Sequence, residues 1–356
     1  MKRPPMAEEE LSPSRAVQVS TLVTAYNKSP YLEPALRSVF GQCITPDPHE
    51  LVILTSQPSY VAEVLARINV PRGGWLVRIV ESKHSSLGPF CMSGLQSCSN
   101  DIVAILNDDD LWLRDRLKVV QGAFARDPDL VFFKNRVSFI DGSGQALTGY
   151  QRRRALRPPP TDYDVTVSLR DRNWRKLRYL AAYEPGFNSS SIAIDKRAVL
   201  ALSEVLSHLR SGDDLFYFYS SLATGRNLRF MSVPLTRYRI HGKNTSGVGR
   251  TLGRSLDSTP NMASNYQLET VRCLLASVTL PEAVTALLHG EESYLTLLQL
   301  IKWPTSDWGS FLRKIYRVAP GLLAFHGQLN CLLLVVAFLT KVAGQAGRAV
   351  YETFRA

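Results

Sequence analysis

Carboxylates set side by side are the groups with the clearest chemical potential in this chain. Asn107-Asp108-Asp109-Asp110 follows directly on an apolar run at 101–106, where four hydrophilic residues are not cheaply buried. Carboxylates this close repel one another unless a cation sits between them. Hard oxygen donors suit Mg2+ or Mn2+, which would bridge them to a diphosphate. A solvated loop that caps the following helix accounts for the run as well. Gly212-Asp213-Asp214 precedes an aromatic stretch at 215–219. The helix dipole favours carboxylates there as simple caps, and one of them could equally take the proton of a hydroxyl. Arg237-Tyr238-Arg239-Ile240-His241 closes a strand-like run. Its arginines and histidine have the chemistry to hold a phosphate or a metal, although a lone histidine is more often structural.

Such groups converge only if strands end together. The first 140 residues alternate strand and helix signals. A β-branched run at 17–24 ends at Ala25-Tyr26-Asn27-Lys28, and Ser29 with Pro30 opens a helix carrying Leu32, Leu36, Val39 and Phe40. Further strands are predicted at 51–55, 75–80, 101–106 and 130–140, with helices at 60–68, 89–98 and 114–126. This alternation implies an α/β fold, a mostly parallel sheet with helices on both faces. In such sheets ligands sit beyond the carboxyl ends of the strands, here Ala25-Tyr26-Asn27, Thr55-Ser56-Gln57 and the acidic run. Asp141-Gly142-Ser143-Gly144 reads as a turn, 187–194 as a strand, 213–223 as a helix and 228–240 as a strand. Beyond residue 251 the pattern is helix after helix, at 264–277, 281–301, 308–316 and from 328.

The chain has 356 residues, enough for one large domain or two smaller ones, and its 45% apolar and 21% charged content is that of a globular protein. Forty-two Lys and Arg against 31 Asp and Glu give 42 − 31 = +11, which favours anionic partners. Nine basic residues crowd 152–178 without interleaved stacking aromatics or a recognisable nucleic-acid motif, so nucleic acid is not the expected partner. Five cysteines without a CxxC pair predict free thiols in a reducing cytoplasm, and the first residues carry no apolar secretory segment.

The three polar clusters also occur in a familiar order. VSTLVTAYNKSPYLEPALRSVFGQ (19–42) resembles the opening strand and helix of family 2 glycosyltransferases. DIVAILNDDDLWLRDRL (101–117) is similar to their D-x-D metal motif, and SGDDLFYFYSSLATGRNLRFMSVPLTRYRIHGKNTS (211–246) to their E-D helix and R-x-H ending. The resemblance implies a GT-A type Rossmann-like mixed sheet over 17–250, after a tail at 1–16. It also implies a nucleotide-sugar donor (a UDP-sugar is expected), Mn2+ or Mg2+, and inversion at the anomeric carbon. By the same resemblance Thr24, Ala25, Tyr26, Asn27 and Ser56 line the nucleoside with Asn107, Asp108 and Asp109. Asp109, Asp110 and His241 form the metal set. Asp214 is the general base, with Asp213 and Arg239 beside the site. Two positions depart from the family pattern: Asn107 replaces an Asp, and Leu54-Thr55-Ser56-Gln57 lacks the acidic ending of the second strand. They leave open a non-catalytic domain of the same fold that binds nucleotide-sugar or glycan.

The acceptor expected from this family's common use is a glycan or a lipid-linked glycan. The helical region 251–356 holds apolar runs at 322–325 and 332–339, flanked by Arg313, Lys314, Arg317 and Lys341. The run at 329–343 is too short to span a bilayer and is interrupted by Lys341. It suits an anionic membrane surface, packing on the catalytic domain, or a homo-oligomer contact. A cytoplasmic enzyme is expected, with peripheral contact at the inner face of the membrane as one of these alternatives.

Overall fold

The computed structural model describes residues 17–43, 48–68, 70, 74–147, 164–168, 188–241, 262–302 and 307–318, together with parts of 331–342. Its elements in chain order are β1 (Val19–Ala25), α1 (Leu32–Phe40), β2 (His49–Thr55), α2 (Pro58–Ile68), β3 (Trp75–Glu81), α3 (Leu87–Ser97), β4 (Ile102–Asn107), β5 (Leu111–Trp112), α4 (Arg116–Arg126) and β6 (Leu130–Ile140). There follow β7 (Val165–Val167), a single 3-10 turn at Ser189–Ser191, β8 (Ile192–Asp195), α5 (Lys196–Leu200), α6 (Ser203–Ser207), α7 (Asp213–Ala223) and β9 (Asn227–Arg239). The helices α8 (Met262–Ser277), α9 (Glu282–Lys302) and α10 (Trp308–Val318) follow, with further helical residues among 331–342.

Nine strands form one sheet in the order β3-β2-β1-β4-β8-β6-β9-β5, with β7 on β9. The first four pair in parallel; β8 runs antiparallel to both β4 and β6. Central strands β1 and β2 are covered on both faces and read as near-continuous β-branched and aliphatic runs, whereas edge strand β3 alternates in exposure. Leu32, Ala35, Leu36 and Val39 give α1 one apolar stripe at helical spacing, buried against the sheet.

The sheet separates two cores. One lies under α1, α2 and α4, around Val23, Leu36, Val64 and Phe124. The other unites α3 and α7 with the C-terminal helices, Leu268, Val271 and Leu288 packing with Phe90, Phe216 and Phe218. Gly88 permits part of that closeness, since a β-carbon there would fall 1.7 Å from the Leu206 carbonyl oxygen. A third, smaller core joins Leu297, Leu300 and Phe311 to Leu333 and Ala337.

Two local expectations change. Ser29 does not cap α1: its hydroxyl accepts from the Tyr31 N–H (3.2 Å), and the helix begins at Leu32. The Leu32 N–H donates to the Ser29 carbonyl (3.3 Å), so residues 29–32 form a separate turn ahead of the helix. The strand expected at 187–194 begins only at Ile192, because residues 189–191 form the 3-10 turn. Among the described residues no helix is long and apolar enough to cross a membrane.

Candidate active site

Parallel pairing of β1 with β4 brings Thr24 opposite Asn107, and the two side chains meet: the Thr24 hydroxyl donates to Asn107 Oδ1 (2.9 Å). The Asp108 N–H donates to the Thr24 carbonyl (3.1 Å), so the acidic loop is strapped to the end of β1. Ala25 is buried beneath this point, while Tyr26 and Asn27 stand exposed beyond it. The Tyr26 ring meets Phe90 edge-to-face, and its carbonyl accepts from the Ser56 hydroxyl. The expected nucleoside residues therefore share one rim, at the carboxyl ends of β1, β2 and β4.

The three aspartates have separate employments. Asp108 is partly buried; burial, then the charges of Asp109 and Asp110, push its carboxyl up to about 8 despite a hydrogen bond from Ser29. Asp109 places Oδ2 3.1 Å from His241 Nε2. Asp110 is fully buried, and protein donors take both its oxygens: Asn188 Nδ2 (2.8 Å) and the Ser190 hydroxyl (2.6 Å) at Oδ2, and the Arg239 N–H (2.8 Å) at Oδ1. These three bonds tie Asp110 to the 188–191 turn and to β9, so within the expected metal set Asp109 and His241 are the pair that stand side by side. Arg239 stands beside the site, as expected. Its guanidinium donates through Nε to the Asp109 carbonyl (2.8 Å) and through Nη1 to the carbonyls of Asp141 (3.1 Å) and Gly142 (3.2 Å), and it lies over the Tyr31 ring, so it braces the loop. His241 also packs on Tyr31, at 5.0 Å between centroids.

Asp213 and Asp214 open α7, whose N-cap Gly212 sits at φ 79°, a left-handed conformation natural to glycine. The Ser189 hydroxyl donates to Asp213 Oδ2 (2.7 Å); the Asn188 and Leu215 N–H groups donate to the two oxygens of Asp214 (2.9 and 2.8 Å). Burial, with the Asp213 charge next, pushes the Asp214 carboxyl up to about 7, opposed by those N–H groups and by Lys134. Burial raises Asp213 as well. A carboxyl poised near neutrality is suited to accept a proton.

The turn at 188–191 joins both acidic groups, and the sequence reading missed it. Asn188 holds Asp214 through its backbone and Asp110 through its side chain; Ser190 holds Asp110, and its hydroxyl also accepts from the Asn107 N–H (3.0 Å). Asn188 is buried at φ 66°, and among the described residues it alone combines a side chain with positive φ. Asn tolerates that region better than most residues, which is the one signal the sequence offered. Behind the turn, Trp112 Nε1 donates to the Ser190 carbonyl (2.8 Å), and fully buried Arg116 donates to the Ile192 carbonyl (3.0 Å) while lying over the Trp112 ring. Tyr31, Lys134 and Asn188 to Ser190 are thus site residues that pattern reading did not select.

Among the described residues no group of three or more His, Cys, Asp or Glu side chains is arranged to hold a metal. Asp109 and His241 form a two-donor set instead. Such a set fits a divalent ion that completes its octahedron with phosphate oxygens and water, as Mg2+ and related ions do with one or two protein ligands. It does not fit an all-protein cage.

The fold is of the GT-A type, shared with solved glycosyltransferase structures. TarS 1-349 of S. aureus, solved in complex with UDP-GlcNAc, superimposes with a TM-score of 0.59 at 13% identity, covering 95% of this chain and 92% of that one. The mannosyltransferase PcManGT from Pyrobaculum calidifontis, solved with GDP-Man and Mn2+, gives 0.52 at 16% identity over 96% and 91%. At these identities the likeness is one of fold. Residues 20–189 match the model of glycosyl transferase family 2. EpsH of Bacillus subtilis (strain 168), itself only assigned as a glycosyltransferase, is 21% identical over 226 residues, 63% of this chain and 61% of that protein. The chain thus spans about three fifths of that relative's length.

Proposed function

We propose that this chain transfers a sugar from a nucleoside-diphosphate donor to a hydroxyl of a glycan or lipid-linked acceptor, with inversion at the anomeric carbon. The observation that carries the reading is the 188–191 turn, which ties a proton-accepting carboxylate, Asp214, to the loop presenting Asp109 and His241. The catalytic domain is read as 17–250 and the helices at 251–356 as its support.

In this reading Thr24, Ala25, Tyr26, Asn27 and Ser56 receive the nucleoside with Asn107 and Asp108, and Tyr26 offers an exposed ring for a base to stack on. Asp109 and His241 hold Mn2+ or Mg2+; the imidazole favours Mn2+ of the two. Bound there, the ion would neutralise charge on the departing diphosphate. Asp214 takes the acceptor hydroxyl proton as that oxygen bonds to the anomeric carbon. The bond from that carbon to the diphosphate breaks, and the nucleoside diphosphate leaves with the electron pair. One displacement inverts the configuration. Asn188 and Leu215 keep the Asp214 oxygens fixed by two N–H groups and leave their remaining lone pairs for the proton.

The test is turnover of a panel of UDP- and GDP-sugars with Mn2+, the anomeric configuration of the product being read by NMR. Inverted product formed only with the ion supports the reading. Tight donor binding without transfer or hydrolysis would move the chain to the non-catalytic alternative that Asn107 and the Thr55-Ser56-Gln57 ending suggest.

A further inference from the structure

The outer face of α10 is a surface feature that sugar transfer leaves unused. The inner face of this helix is already satisfied. Phe311 and Val318 are buried, Phe311 against Leu297, Leu300 and Leu333, and the Ser293 hydroxyl donates to the Val318 carbonyl (2.9 Å). Facing outward are Trp308, Leu312 and Tyr316, exposed by 48%, 51% and 84%. Their i, i+4, i+8 spacing makes one continuous apolar stripe along the helix. Arg313, Lys314 and Arg317, all exposed, border it, and no acidic residue lies between 308 and 318. Nearby, Lys341 Nζ sits 5.3 Å from the Trp308 ring, and exposed Val335 and Val342 line a shallow apolar depression with Leu334 and Phe338.

We propose that this face seats the protein on an anionic lipid surface, with Trp308, Leu312 and Tyr316 entering the headgroup boundary and Arg313, Lys314 and Arg317 meeting lipid phosphates. A helix with one apolar and one basic stripe lies in that interface with its apolar side only about 5–10 Å deep. Trp and Tyr suit the boundary because each joins an apolar ring to a polar edge. Charge selects this occupant over a second copy of the chain. Two such faces would bring six or more cations together within a protein already at +11, whereas an anionic bilayer attracts them. The surface stands independently of the transfer reaction, although a lipid-linked acceptor would be presented on it.

Flotation of the full chain with vesicles of phosphatidylcholine alone, or mixed with phosphatidylglycerol, tests this without donor or acceptor. Binding is expected to the mixed vesicles only, and to weaken at high salt. Arg313→Gln with Arg317→Gln should lower partition about 30-fold, two cations' worth of attraction to such a surface. Leu312→Glu with Tyr316→Glu should abolish it with the thermal unfolding midpoint unchanged; Tyr316→Ser, at the most exposed position, serves as the milder second variant. No binding to anionic vesicles, or binding insensitive to these changes, overturns the proposal. So does a concentration-dependent dimer in light scattering that the Leu312/Tyr316 variant dissociates, which would assign the face to a second copy.

Discussion

The two ends of the sheet bury carboxylates in opposite ways. At the amino end, Glu50 is 7% exposed and accepts hydrogen bonds from the Ser20 hydroxyl, Arg78 (2.6 Å), the Ser99 N–H (2.8 Å) and the Ser99 hydroxyl (2.7 Å). Burial alone would raise its pKa, but Ser20, Ser99 and Arg78 together hold it below the ordinary glutamate range. At the carboxyl end, Asp214 receives two backbone N–H groups, stands beside the like charge of Asp213, and is pushed up to about 7. Donor supply separates the two. A carboxylate saturated with donors stays ionised and ties strands together, whereas one short of donors beside a like charge keeps its affinity for a proton.

The sharpest way to break this comparison is to remove each end's charge in turn. Asp109→Ala should abolish transfer and the metal-dependent part of nucleoside-diphosphate binding, measured by calorimetry with Mn2+ and after EDTA, while melting stays normal. Asp214→Asn keeps the cap and the shape but not the proton acceptor, so kcat should fall about 10²–10⁴-fold with donor affinity retained. Glu50→Ala should do the reverse. It costs about 3 kcal/mol of stability, through lost charged hydrogen bonds and stranded donors, and leaves kcat of the folded fraction unchanged. Equal kinetic damage at both ends would dissolve the distinction.

The pH dependence sharpens it. Asp214 must be ionised to accept a proton, so kcat/KM should rise through an apparent pKa near 7 and fall on the acid side. Stability moves the other way. The native Asp213–Asp214 pair holds protons that the unfolded chain releases near its ordinary value, so its ionisation lowers stability as pH rises from about 4 towards 7. Glu50, depressed in the native state, contributes stability above its unfolded value of 4.5, lost as pH falls through the lower folded one. Melting scans should therefore show Asp214→Asn stabilised relative to the parent above pH 7, and Glu50→Gln destabilised there but converging with it in acid. Parallel pH curves for parent and both variants would refute these assignments.

Much of this was legible in the sequence. Strand β6 and helix α7 fall where their apolar patterns put them, and the short crossovers of the parallel half force Thr24, Asn107 and the acidic loop to one rim. Side-chain employment was not legible. Asp109 and Asp110 are adjacent and identical in type, yet one faces His241 and the other three protein donors, because the second lies one residue deeper in the loop under the 188–191 turn. The carbonyls that Arg239 braces were not legible either, because no periodicity reports which ones a guanidinium will find. Asn188 was hidden in a run read as strand, since its value lies in a positive φ and in contacts spanning 26 and 78 residues.

The smallest effect expected is at Asn188, and it tells whether the two acidic groups work as one unit. Asn188→Gly keeps the positive φ and the N–H that holds Asp214, but loses the amide bond to Asp110. That loss is partly offset, because Asn188 Oδ1 is a buried acceptor without a hydrogen-bond partner and disappears with the side chain. The glycine variant should melt close to the parent. With Asp110 less firmly held, the loop carrying Asp109 loosens, so donor KM should rise by about tenfold while kcat, set by Asp214, changes little. Asn188→Ala adds a β-carbon where the left-handed backbone disfavours one, at a cost of about 1–2 kcal/mol. If relief of that strain swings the N–H away from Asp214, kcat falls as well. Glycine that moves KM alone and alanine that moves both would show the turn holding the two ends separately; identical kinetics in the two variants would mean that the side chain, not the backbone, does all the positioning.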